Sequence, residues 1–115
     1  MTTDVNFAVS ETDHNGTPVL SVQGEVDVSN APELRERLLS LAERGSTVAV
    51  VDLTDVSFVD STALGVLVSG VKRLRSAGGD LRLVVTQPRI SKVFEITGLT
   101  DVFQIFATVD EAVGA

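Results

Sequence analysis

Cysteine is absent from the 115 residues. Disulfide frameworks, thiolate nucleophiles and zinc sites of the cysteine type are absent with it. Tryptophan and tyrosine are missing too, which argues against single-stranded nucleic acid stacking on aromatic rings. Histidine occurs once, as His14, inside Asp13-His14-Asn15-Gly16. Asn-Gly is a strong hairpin signal, so His14 reads as a solvated turn residue. No histidine is then left as the base for a serine nucleophile, which argues against a hydrolase triad. Basic residues are scarce: nine Lys and Arg stand against sixteen Asp and Glu, a net charge of -7. Such a chain is repelled by nucleic acid and by anionic membrane, and its partner is expected to present basic residues. Long apolar runs are also lacking, because Asp52, Ser69 and Gly70 interrupt them short of a membrane span. Met1-Thr2-Thr3-Asp4 has neither positive charge nor an apolar stretch and does not read as a signal peptide. The expectation is a cytoplasmic protein with no membrane insertion and no direct contact with nucleic acid.

Nucleotide motifs fail on inspection. Gly65 and Gly70 have the spacing of a phosphate loop, but Val71 follows where Lys is needed, and both fall inside a helical pattern. Gly78-Gly79 lacks a third glycine and precedes a strand rather than following one.

What is present suits one domain over 1–115, with a core of about 5–113. Hydrophobic residues make up 43%, enough for a packed interior. Val5 to Val9 alternates as a strand, the Asn-Gly turn follows, and Val19 to Val22 returns as a second strand, closed by Gly24-Glu25-Val26-Asp27. Asn30-Ala31-Pro32-Glu33 reads as a capping-box start to a helix carrying Leu34, Leu38 and Leu41 inward, with Gly45 as its stop. Val48 to Leu53 is nearly all apolar and reads as a central strand covered on both faces. A helix follows with Leu64, Leu67, Val68, Val71 and Leu74 on one face and Lys72, Arg73 and Arg75 near its end. Leu81 to Val85 is a strand, Arg89 to Ile96 a helix, Val102 to Phe106 a last strand and Val109 to Val113 a short closing helix. The fold class is α/β: a mixed β-sheet with an N-terminal hairpin and about four helices packed on it.

The chemistry concentrates at Asp60-Ser61-Thr62, where the central strand gives way to a helix. From residue types alone, Asp60 or Ser61 is an N-cap. The alternative is that the Ser61 hydroxyl is a chemical target at the positive end of a helix dipole. Glu25, Asp27 and Asp60 all lie at ends of elements and are expected to converge at one edge of the sheet. Solvated loop acids and an oxygen-ligand metal site are the two readings of that convergence.

Here the sequence resembles a family. Phe58-Val59-Asp60-Ser61-Thr62-Ala63-Leu64-Gly65 is similar to the F-x-D-S-[S/T]-G-L-G signature of anti-sigma factor antagonists, small members of the STAS class shared with sulfate transporters. Gly24-Glu25-Val26-Asp27, Asp52-Leu53, Gly78-Gly79 and Gly98-Leu99 also stand at the expected places. The likeness runs from Val5 to about Val113. One position departs: Ala63 stands where the family usually has Gly. Ala favours the helix by about 1 kcal/mol, and a methyl at the docking face would restrict a partner's approach.

The resemblance implies partner switching. The unphosphorylated antagonist binds an anti-sigma factor that is also a serine kinase of the histidine-kinase-like ATPase fold, and so frees the sigma factor. The kinase phosphorylates Ser61, with Thr62 the lesser candidate; binding is then lost, and a metal-dependent serine phosphatase resets the switch. Glu25, Asp27, Asp60, Ser61, Thr62, Ala63 and Leu64 are the implied partner-binding residues. No catalytic residue, cofactor or metal is expected. Two other readings stand beside this one: a STAS docking subunit of a lipid-transport or stress-signalling assembly, not phosphorylated, and a weak nucleotide hydrolase.

Overall fold

The computed structural model describes residues 6–45 and 48–115; the start of the expected first strand, Val5, lies outside them. The opening hairpin forms as its turn chemistry dictates. β1 (Phe7–His14) and β2 (Thr17–Val26) pair antiparallel with His14 opposite Thr17. Asn15 and Gly16 between them both take positive φ, 55° and 93°, as a two-residue turn matched to strand twist requires. β3 (Val48–Val59), β4 (Asp80–Val84) and β5 (Gln104–Phe106) then add in parallel, giving the order β1-β2-β3-β4-β5.

Alternation along the strands sorts the interior into two unequal layers. Leu20, Val22, Ala49, Val51, Leu53, Leu81 and Leu83 face the main core with α1 (Ala31–Glu43), α2 (Ser61–Ser76) and α3 (Pro88–Ile96). Val19, Val50 and Val84 point the other way and are covered by Ala112 of α4 (Val109–Gly114). The central strand is thus buried on both faces, one of them by a single short helix. None of the helices among the described residues is long and apolar enough to cross a membrane.

β3 is twice as long as the apolar run that announces it. It continues past Leu53 through Thr54-Asp55-Val56-Ser57-Phe58-Val59. Its register with β2 slips twice: Ser21 faces Asp52 and Gln23 faces Asp55, then Gly24 faces Val56 and Glu25 faces Phe58. Each slip places one extra residue on β3, the mark of a β-bulge, and each breaks the period of two. Opposite the second slip sits Gly24 at φ +92°, where a Cβ would lie 1.7 Å from the Asn6 carbonyl oxygen. Only glycine permits that close approach, which lets the Glu25 N–H donate to the same oxygen at 2.7 Å.

Past α3 the strand expected from Val102 begins only at Gln104. A 3-10 turn, Leu99–Asp101, occupies the preceding residues, and Phe103 turns inward to meet Phe94 edge-to-face at 5.8 Å.

Candidate functional site

β2 and β3 end together. Val26 pairs with Val59, and the Asp60 N–H donates to the Val26 carbonyl at 3.1 Å. Asp27 and Asp60 therefore leave the sheet at one edge, at the carboxyl ends of parallel strands, where sites of such folds gather.

Asp60 is the helix cap. Its backbone is extended and its Oδ1 accepts from the Ala63 N–H at 2.9 Å. Its Oδ2 accepts from the Val28 N–H at 3.1 Å. One carboxylate thus satisfies an orphan donor of α2 and ties down the β2–α1 loop. That division of labour leaves Ser61 uncommitted. Ser61 is the first residue of α2, is exposed, and has no hydrogen-bond partner for its hydroxyl among the described residues. Thr62 beside it is exposed as well.

The β2–α1 loop is organised by a side chain that the sequence reading gave another job. Asn30 stands at the N-cap position of α1 but its side chain makes no cap bond. Instead its Oδ1 accepts from the Asp27 N–H at 2.9 Å, and its Nδ2 donates to the Glu25 carbonyl at 2.9 Å. The expected capping box is therefore absent: the amide, buried at 7% exposure, folds back to hold the loop. Asp27 then receives the Ser29 hydroxyl at 2.6 Å and the Ser29 N–H at 2.9 Å on its Oδ1. These two bonds, the hydroxyl first, hold the Asp27 carboxyl below its ordinary value, against a smaller opposing effect of burial. The edge is negatively charged and its loop is fixed.

The remaining implied residues divide. Ala63 is 0% exposed and its methyl lies in the main core. The methyl anticipated at the docking face points away from it, and the surface consequence of Ala in place of Gly disappears. Leu64 is buried too, so both residues sit beneath Ser61 rather than beside it. Glu25 is exposed and reaches a shallow depression of about 270 Å³ shared with Gln23, Gly24 and Ser57. Among the described residues no group of three His, Asp or Glu comes together to hold a metal ion. Sequence reading missed two apolar side chains at this edge: Val28, 67% exposed in the loop tied to Asp60, and Phe58, 47% exposed two residues before it. Val28 has no periodic context to mark it. Phe58 is turned outward by the bulge at Ser57, which pattern alone does not reveal.

Known proteins share this architecture. The chain matches the STAS domain over residues 8–112. An anti-sigma-B factor antagonist of Bacillus subtilis is 44% identical over 88 residues, covering 76% of this chain and 80% of that one. The crystal structure of an anti-sigma factor antagonist from Mycobacterium paratuberculosis is 29% identical, with a TM-score of 0.86 over 94% of this chain and 92% of the other. The Bacillus cell fate determinant SpoIIAA, solved in a phosphorylated form, is 25% identical, with a TM-score of 0.71 over 94% of this chain and 96% of its own. With its sheet order, its capped α2 and a match over nearly its whole length, the chain belongs to the STAS domain family and stands within it among the anti-sigma factor antagonists.

Proposed function

We propose that this protein binds an anti-sigma factor with serine kinase activity, that this binding releases a sigma factor, and that phosphorylation of Ser61 ends it. The observation that carries the reading is the free Ser61 hydroxyl on the first turn of α2, with Asp60 doing the capping. A relative solved in phosphorylated and unphosphorylated forms supports it. The work is binding, and the chain itself is read as non-enzymatic; a serine phosphatase of the host restores the hydroxyl.

The physics of the switch follows from the edge. In the free protein, a phosphate on Ser61 adds a charge of about −1.5 to −2. It sits at the N-terminus of α2, where the dipole favours it by roughly 0.3–1 kcal/mol. The Asp60 carboxylate opposes this through solvent, so folding stability changes little. In the complex, the partner strips water from the same place. An unmatched buried charge costs several kcal/mol, on the order of a hundredfold or more in affinity. Val28, tied to Asp60 through its N–H, and Phe58, two residues before Asp60, are exposed apolar side chains that a partner docking here would cover. The test is intact mass before and after incubation with ATP and candidate kinases from the same genome. The expected result is one added phosphate in the wild type and none in Ser61→Ala. Full phosphorylation of Ser61→Ala would assign the acceptor elsewhere.

A further inference from the structure

The docking edge is acidic, yet the helix it opens is not. α2, STALGVLVSGVKRLRS, contains no Asp or Glu at all, in a chain that carries sixteen of them against nine bases. Its cations lie in its last turns. Arg75 is engaged, with Asp80 at 2.8 Å and the Val102 carbonyl at 2.7 Å. Arg73 and Lys72 have no ion pair among the described residues. Across the seam, Arg35 of α1 has none either, and the residues three and four places from it are Ala31, Pro32, Leu38 and Leu39, none of which can pair with it. Of the remaining arginines, Arg44, Arg37 and Arg82 are taken up by Glu11, the Val9 carbonyl and the Ala112 carbonyl, and Arg89, also without an ion pair among the described residues, lies on α3 outside this seam.

Arg35 and Arg73 flank a shallow groove with Leu38, Leu39, Val66 and Gly70 as its floor. Gly70 sets its depth: a Cβ there would lie 2.9 Å from Leu38 Cδ1, so the two helices meet closely only because it is missing. The volume, about 30 Å³, suits the tip of one apolar side chain, not a small-molecule ligand. The groove is continuous with the Ser61 edge. Ser61, Gly65, Ser69 and Arg73 fall four apart along α2 and all are exposed. Twelve residues at about 1.5 Å each place Arg73 about 18 Å from Ser61 along the helix. A standard interface of about 800 Å² per partner, roughly 28 Å on a side, spans that length.

We propose that the α1–α2 seam is the distal half of the anti-sigma factor's docking surface, where Arg35 and Arg73 receive carboxylates from a segment of that partner. The proposal rests on the function proposed above and adds the chemistry of a second contact. Acidic side chains at one end of the footprint and unmatched cations at the other make it dipolar, which fixes the orientation in which a partner of opposite polarity seats over Ser61.

The test uses the full-length protein and its cognate anti-sigma factor. Affinity is measured by calorimetry in 50 mM and 500 mM salt for the wild type, for R35E/R73E, for the milder R35Q/R73Q and for R89E/K92E, in which two exposed cations of α3 are reversed. Both reversals change the net charge by the same amount. The expected result is a loss of tenfold or more for R35E/R73E at low salt, a smaller loss for R35Q/R73Q, convergence with the wild type at high salt, and little change for R89E/K92E. Thermal melts should coincide for all four proteins. Wild-type affinity in R35E/R73E at low salt, a loss that salt does not diminish, or an equal loss in R89E/K92E would overturn the proposal while leaving the Ser61 reading in place. Absence of binding by the wild type would overturn both. Wild-type adsorption to phosphatidylserine vesicles that R35E/R73E abolishes, with anti-sigma binding intact, would assign the seam to a lipid surface and overturn it as well.

Discussion

Asp60 holds the start of α2 and the β2–α1 loop through two hydrogen bonds, and its replacement has a cost that can be worked out in advance. Asp60→Ala removes the acceptor for the Ala63 N–H at 2.9 Å, worth about 1 kcal/mol for an N-cap. It removes a negative charge from the N-terminus of α2, worth roughly 0.3–1 kcal/mol. It also frees the Val28 N–H, bonded at 3.1 Å; that group is exposed and water replaces the lost acceptor, so the loss is about 0.5 kcal/mol. The sum is about 2 kcal/mol, which for a domain of this size lowers the melting temperature by roughly 8 °C. Asp60→Ser separates the parts. A serine hydroxyl reaches the Ala63 N–H but not Val28, and carries no charge, so about 1 kcal/mol is lost. The chain has no Trp or Tyr, so thermal unfolding is followed by far-ultraviolet circular dichroism rather than by fluorescence. A drop of less than 2 °C in Asp60→Ala, or equal damage from Asp60→Ser, would refute the assignment of the cap.

Three further outcomes are expected. Asn30→Ala leaves the Asp27 N–H and the Glu25 carbonyl without their amide partner, at a cost of about 1–3 kcal/mol; urea unfolding and faster amide exchange at Asp27 should report it, and an unchanged exchange rate would contradict the clamp. Ala63→Gly should cost about 1 kcal/mol in helix propensity and roughly 0.8 more for the buried methyl, with no gain in partner affinity, because that methyl faces the core; a tighter complex would place it at the interface after all. Ser29→Ala should let the Asp27 carboxyl rise back toward its ordinary value of 3.8, since the Ser29 hydroxyl is the first cause of its depression. The sign follows from linkage: with the folded value depressed, the stability contributed by Asp27 is complete above the ordinary value and is lost as pH falls through the folded one. An NMR titration of the Asp27 side-chain carbon checks this, and an unmoved midpoint in Ser29→Ala would contradict it.

How much of this was legible in the sequence depends on the residue. The Asn15-Gly16 turn, the helix expected over Arg89 to Ile96 and the apolar run of β3 are local signals, and each folds as its own chemistry requires. The second half of β3 is different. Its two bulges exist only because β2 pairs beside it with fewer residues, and no window of the sequence contains that partner. The same holds for Asn30, whose residue type suits a cap and whose position beside Asp27 and Glu25 gives it another use. Ser61 was legible as a candidate, but its freedom was not: it follows from Asp60 taking the cap, which requires the backbone in place. The vacant cations of α1 and α2 lie far apart in the chain and meet only when Gly70 lets the helices close.

The central claim is that one hydroxyl on the first turn of α2 governs binding. Its most direct measurement is calorimetric titration of the cognate anti-sigma factor with unphosphorylated protein, with protein phosphorylated at Ser61 and with Ser61→Ala, alongside thermal melts of each. The account predicts near-equal melting for all three, tight binding by the unphosphorylated and Ser61→Ala forms, and a loss of roughly a hundredfold or more on phosphorylation. Equal affinity of the phosphorylated and unphosphorylated proteins would contradict it.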